Sequence, residues 1–280
     1  MKRLAALLFL LVPDLAAAQS EPAVPEGLRG SWFQGDCGRP TTLLHLTARA
    51  AAQVPGDGAV RLLRFTALRD QAGWSIGTGR GAEAPRLLLR AAGEALETVE
   101  PDAKTRDDRL PGEAPIGRWQ RCPGLPPALA MQHGEGLAML AALEHMEAGC
   151  GGADTAACLG ALVDQADVSG DGMLSTAELA RLTRGAAWLA AMQEGVTVEA
   201  LGAASGAGAL AGLLAGRGLV ESLDYDGDGK LSVAELGQDR MGPARPGPLG
   251  TAAGRPLRSD RAGPALDALR GLISGLGLLK

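Results

Sequence analysis

The chain has 280 residues, a formal net charge of −5, 46% apolar residues and only 3% aromatic ones. That length suffices for two ordinary domains, and a net acidic chain lacks the basic face that nucleic-acid binding needs. Scarce aromatics leave cores of Leu, Val and Ala, which bury less area per residue and give other restraints more weight.

Residues 1–18 have the pattern of a cleavable secretory signal. Lys2 and Arg3 are followed by an apolar run, Leu4 to Val12, too short to span a bilayer, and by Ala16-Ala17-Ala18 before Gln19. Pro13 and Asp14 break the run, which argues against a retained anchor. No later stretch reads as a transmembrane helix, so the mature chain is expected to be periplasmic or secreted. Export permits disulfides. Four cysteines allow three pairings. Cys37–Cys122 and Cys150–Cys158 are expected, because each pair stays within one candidate domain. No C-x-x-C pair is present, which argues against zinc.

Residues 27–123 read as an antiparallel β meander, closing into a small barrel or sandwich. Strand-like runs cover Thr41 to Arg49, Val60 to Leu68, Trp74 to Thr78, Arg86 to Arg90, Leu96 to Glu100 and Ile116 to Cys122. Gly, Pro and Asp clusters separate them. Trp32, Trp74 and Trp119 are expected in the β core.

Residues 126–241 read as a helical domain, so the fold class is α+β. Ala128 to Glu147 is rich in Ala, Leu and Met without proline. Asp154 is placed to cap a helix over Thr155 to Ala166, with Leu159, Leu162, Val163 and Ala166 on one face. A further run, Ala209 to Leu223, places Leu213, Leu214, Leu219, Val220 and Leu223 similarly. Residues 242–280 form a basic Pro-, Gly- and Arg-rich tail. In its last part Leu266, Leu269, Ile273 and Leu276 share a helical face.

Two twelve-residue segments carry the chemistry. One reads D-V-S-G-D-G-M-L-S-T-A-E from Asp167 to Glu178, the other D-Y-D-G-D-G-K-L-S-V-A-E from Asp224 to Glu235. Calcium takes about seven oxygens in flexible geometry, and such a loop wraps it when ligands recur at positions 1, 3, 5, 7, 9 and 12. In the first loop these are Asp167, Ser169, Asp171, the Met173 carbonyl, Ser175 and Glu178. In the second they are Asp224, Asp226, Asp228, the Lys230 carbonyl, Ser232 and Glu235. Met173 and Lys230 offer only backbone, so their side chains are expected to be unconstrained. Gly172 and Gly229 stand at position 6, where the backbone turns sharply. Magnesium is the rival ion, but it demands a smaller octahedral cage.

Both loops closely resemble those of the EF-hand family, over about Thr155 to Leu236. The resemblance implies that Leu174 and Leu231, at position 8, point into the core and that the loops pair through a short antiparallel β contact. It implies two calcium sites. Ser169 replaces an acid at position 3, leaving three carboxylates in the first loop against four in the second, so the second site is expected to bind more tightly. The loops start 57 residues apart, longer than a compact pair, and the segment Ala187 to Gly208 is expected either to add a helix or to separate the hands.

His45, His133 and His145 have no metal-binding spacing, and no nucleophile elbow, zinc-protease helix or phosphate loop appears. The chain is therefore expected not to be an enzyme. The leading expectation is a calcium-responsive binding module whose apolar groove takes a protein or peptide partner, its own tail included. The alternative is constitutive, structural calcium, with a ligand-binding or enzymatic role for the β part.

Overall fold

A computed structural model describes residues 22–81, 83–150 and 154–238. The expected signal segment (1–18) and tail (242–280) lie outside them.

The architecture is α+β, a β meander followed by helices. Strands β1 (Gly30–Asp36), β2 (Arg39–Leu46), β3 (Ala50–Pro55) and β4 (Arg61–Arg64) form one antiparallel sheet in sequential order. Strands β5 (Ala67–Gln71), β6 (Trp74–Thr78), β7 (Arg86–Ala92), β8 (Ala95–Val99) and β9 (Ile116–Trp119) form a second. Phe33 of β1 and Gln120, just past β9, exchange two backbone bonds of 2.9 Å and join the sheets at one edge. At the other edge the Phe65 amide donates to the Arg49 carbonyl and the Thr66 amide to Thr78.

The run Val60 to Leu68 is thus not one strand. The chain leaves the first sheet at Phe65 and enters the second at Ala67, because the Phe65 ring turns into the space between the sheets. Gly77 makes room for it: a Cβ there would stand 2.4 Å from the ring. Trp32, Leu44, Leu46, Leu87, Leu89, Leu96 and Trp119 fill the same core. Disulfides join Cys37 to Cys122 and Cys150 to Cys158. The first closes a separation of 85 residues and so restrains the unfolded chain most.

Helices α1 (Pro127–Cys150), α2 (Thr155–Ala166), α3 (Thr176–Gln193), α4 (Val198–Leu223) and α5 (Val233–Gly237) follow. The Asp154 side chain accepts from the Ala156 amide at 2.9 Å and starts α2. The segment Ala187 to Gly208 is absorbed into helix. It finishes α3, turns, and supplies the first half of α4. The turn docks on the β3–β4 connection, where the Val60 amide donates to Val196 and the Val198 amide to Gly58, both at 2.9 Å.

Glycine decides how α4 packs. Gly208, Gly212 and Gly216 recur every four residues and face α3. A Cβ on Gly212 would lie 2.6 Å from the Ala180 carbonyl oxygen, and one on Gly216 2.8 Å from that of Thr176. The expected leucine face is correspondingly turned outward. Leu213, Leu214 and Leu219 are exposed, and only Val220 of that set is buried, with Leu223 partly so. Contrary to the expectation that no later stretch reads as a transmembrane helix, α4 is by length and composition alone long and apolar enough to cross a bilayer. Here it lays its glycine side on α3 and leads into the second loop.

The first sheet is covered on both faces. Phe33, Leu43, Ala50, Ala52 and Val54 point away from the inter-sheet core and pack with Leu137, Leu140, Trp188, Leu189, Met192 and Leu201 of the helices. Gly136 of α1 accommodates the Trp188 ring, 2.0 Å from where its Cβ would stand. The β and helical parts therefore share one apolar cluster.

Candidate metal centre

The two loops lie side by side. Leu174–Ser175 (β10) pairs antiparallel with Lys230–Leu231 (β11), Leu174 opposite Leu231 and Ser175 opposite Lys230. Beneath this ladder Val163, Ala166, Leu174, Leu179, Val220 and Leu231 form a separate core. Leu182, Leu223, Val233 and Leu236 border it. The loops are thus held by apolar residues at position 8 and by the helices on either side.

Within each loop the first aspartate organises the backbone. Asp167 accepts from the Gly170 and Gly172 amides, both at 2.6 Å, and from the Ser169 hydroxyl at 3.0 Å. Asp224 accepts from the amides of Gly227 at 2.7 Å, Asp228 at 3.1 Å and Gly229 at 2.9 Å. Gly172 and Gly229 have φ of +77° and +84°, left-handed backbone that a side chain would strain. The Gly172 amide, then the Gly170 amide and the Ser169 hydroxyl, outweigh burial and hold the Asp167 carboxyl below its ordinary value.

The last glutamate closes each loop. Glu178 accepts from the Val168 amide at 2.8 Å and the Ser169 amide at 3.0 Å through one oxygen, and from the Ser175 amide and hydroxyl at 2.8 Å through the other. Glu235 repeats this with the Tyr225 amide at 2.9 Å and with Ser232 at 2.8 Å. Ser175 and Ser232 also accept from the Glu178 and Glu235 amides, which makes each serine–glutamate pair a capping box for α3 or α5. Positions 9 and 12 therefore start a helix as well as bound the site. Burial pushes both glutamates up, but these donors outweigh it and hold them below the usual carboxylate range.

The donors fit a hard cation. Both loops offer carboxylate, hydroxyl and carbonyl oxygens, with no thiolate or imidazole. In the second loop, carboxylate oxygens of Asp224, Asp226 and Glu235 all lie within 4.8 Å of one another. Two oxygens on one calcium stand at most about 5 Å apart, so these three can share one ion. In the first loop Ser169 occupies the place of Asp226, and its hydroxyl is turned to Asp167.

The Lys230 side chain departs from expectation. It is not unconstrained: its ammonium is ion-paired with the Asp171 carboxylate of the other loop. The strand register puts Lys230 opposite Ser175, so its stem reaches position 5 of the first loop. A linear reading has no means of seeing this contact across 59 residues. Hydrogen bonding from Lys230, then from the Met173 amide, holds Asp171 below its ordinary value against burial, and Asp171 raises Lys230 in turn. The histidines stand apart from the loops: His45 accepts or donates a bond with Ser31, and His133 is buried beside Trp188.

No curated protein and no solved structure matches the chain. Residues 221–238 match the family model of the EF hand. That match spans the end of α4, the loop Asp224–Glu235 and α5, and it supports an EF-hand calcium-binding motif there.

Proposed function

We propose that this is an exported calcium-binding protein whose two loops bind calcium as a pair and whose helices carry the effect of binding to the rest of the chain. The observation behind this reading is α3. Its first turn holds Glu178, the closing ligand of the first loop. Ten residues on, about 15 Å along the axis, Trp188 is buried at 1% exposure against the β sheet. A carboxylate drawn onto a cation acts on the first turn of a helix whose last turns belong to the β-sheet cluster.

Two further features support it. Leu210, Leu213 and Leu214 form an exposed apolar row on α4, suited to an amphipathic partner helix or to the apolar end of the tail. Two disulfides and the N-terminal signal pattern agree with export. The role is one of binding, responsive to calcium. The second reading, constitutive structural calcium, is favoured by the anchoring of α3 at both ends, which would lock the helix in place.

Amide hydrogen exchange of the full chain, with and without calcium, separates the two. Calcium-dependent protection that extends along α3 to Trp188 and Met192 supports the responsive reading. Protection confined to the loops and their ladder supports structural calcium. No calcium-dependent change anywhere contradicts both.

A further inference from the structure

We propose that the Lys230 ammonium is a tethered competitor of calcium in the first loop, and that it keeps this loop the weaker of the two sites. The proposal rests on the calcium reading given above.

Lys230 has two separate roles by position. Its carbonyl is the position-7 ligand of the second loop, whereas its side chain pairs with Asp171, the position-5 ligand of the first. The ladder fixes the backbone from which the ammonium reaches, so this cation is always at hand. Asp228 and Glu178 also attract it electrostatically. The relation runs one way, because the equivalent residue of the first loop, Met173, carries no charge.

Charge makes the effect unequal. The first loop brings three carboxylates, Asp167, Asp171 and Glu178, and the lysine cancels one of those charges. The second brings four, Asp224, Asp226, Asp228 and Glu235, with no cation paired to them among the described residues. A dication entering the first loop either displaces the ammonium from Asp171 or binds beside a like charge. Both weaken binding there, and neither acts on the second loop to the same degree.

The test is a calorimetric calcium titration of the full chain, wild type against Lys230→Met and Lys230→Gln, with Lys230→Arg as the charge-retaining control. The Gly172 and Gly229 amide resonances assign each binding step to a loop. Loss of the charge in either neutral variant should tighten the first loop by about tenfold, or about 1.4 kcal/mol, the order of a unit charge's repulsion of a dication a few ångströms away in water. The second loop should change by less than about threefold, and Lys230→Arg should resemble wild type. First-loop affinity unchanged or weakened in both neutral variants, with both loops still binding, overturns this proposal and leaves the calcium reading standing. Absence of binding at either loop in every variant overturns both.

Discussion

Leu174 and Leu231 stand directly opposite each other in the two-residue ladder between the loops, and both are buried, at 1% and 0% exposure. Each is flanked by the expected calcium ligands of its own loop, so the pair fixes the distance between the two loops. Leu231→Ala should cost about 2–4 kcal/mol of stability and weaken calcium binding in both loops. Denaturant unfolding with and without calcium, alongside a titration, checks it. A loss of affinity confined to the second loop would show that the loops do not act as a pair.

Glu178 and Glu235 each bridge the end of a loop to its start, and each caps a helix. Replacing either by Gln keeps the shape but removes the charge and turns an amide toward N–H donors. Glu235→Gln should therefore weaken its own loop by about tenfold or more and cost about 1–2 kcal/mol of stability. Glu178→Gln should do the same in the first loop, proposed to be the weaker site on its carboxylate count. Titration of both variants against calcium measures the order; a wild-type first loop tighter than the second would contradict the carboxylate count.

The glycines of α4 make a paired prediction. Gly212→Ala places a Cβ against the Ala180 backbone, which cannot yield without parting α3 from α4, and should destabilise by about 1–3 kcal/mol. Gly206 lies in the same helix with open space around it, so Gly206→Ala should stabilise by about 0.5–1 kcal/mol. Thermal unfolding of the two variants should move in opposite directions. Equal shifts would contradict the close approach of Gly212 to the Ala180 backbone.

Acid sensitivity follows from two histidines. Burial pushes His45 down to about 4 from 6.5, and burial lowers His133 as well. The Trp188 ring N–H donates to His133 Nδ1 at 3.1 Å, a bond that needs an unprotonated nitrogen. Between pH 6.5 and about 4 the unfolded chain binds protons that the folded chain does not. For His45 this stability is complete above pH 6.5 and is lost as pH falls through that window, by up to about 1.4 kcal/mol per pH unit, and the lowered His133 adds a loss of the same sign. The loop carboxylates, held below their ordinary values, contribute only at lower pH. Denaturant unfolding at pH 7 and pH 5 should show the loss, and His45→Asn should reduce it. Equal stability at the two pH values would contradict the assignment.

The EF-hand motif at Asp224–Glu235 was the most legible part of the sequence, because a ligand ladder must place oxygens at fixed positions and glycine at the turn. The β meander was legible through its turns, but β1 and β3 were not among the runs read as strands. In β3, Ala-Ala-Ala-Gln-Val-Pro has weak strand character and no alternation, since the strand is covered by the second sheet on one side and by α1 and α3 on the other. The α4 leucines misled for a related reason. Periodicity marks an apolar face, but the close approach of two helices is made by glycine, which a hydrophobic pattern leaves out. Lys230 reads as a bystander in its own loop and becomes meaningful only through the register of the ladder.

Calcium binding by both loops is to be measured first by calorimetric titration of the full, metal-stripped chain in the presence of magnesium. Two calcium steps that magnesium does not abolish are expected, the tighter assigned to Asp224–Glu235 and the weaker to Asp167–Glu178. No calcium-dependent heat, together with no calcium retained on dialysis, would contradict it.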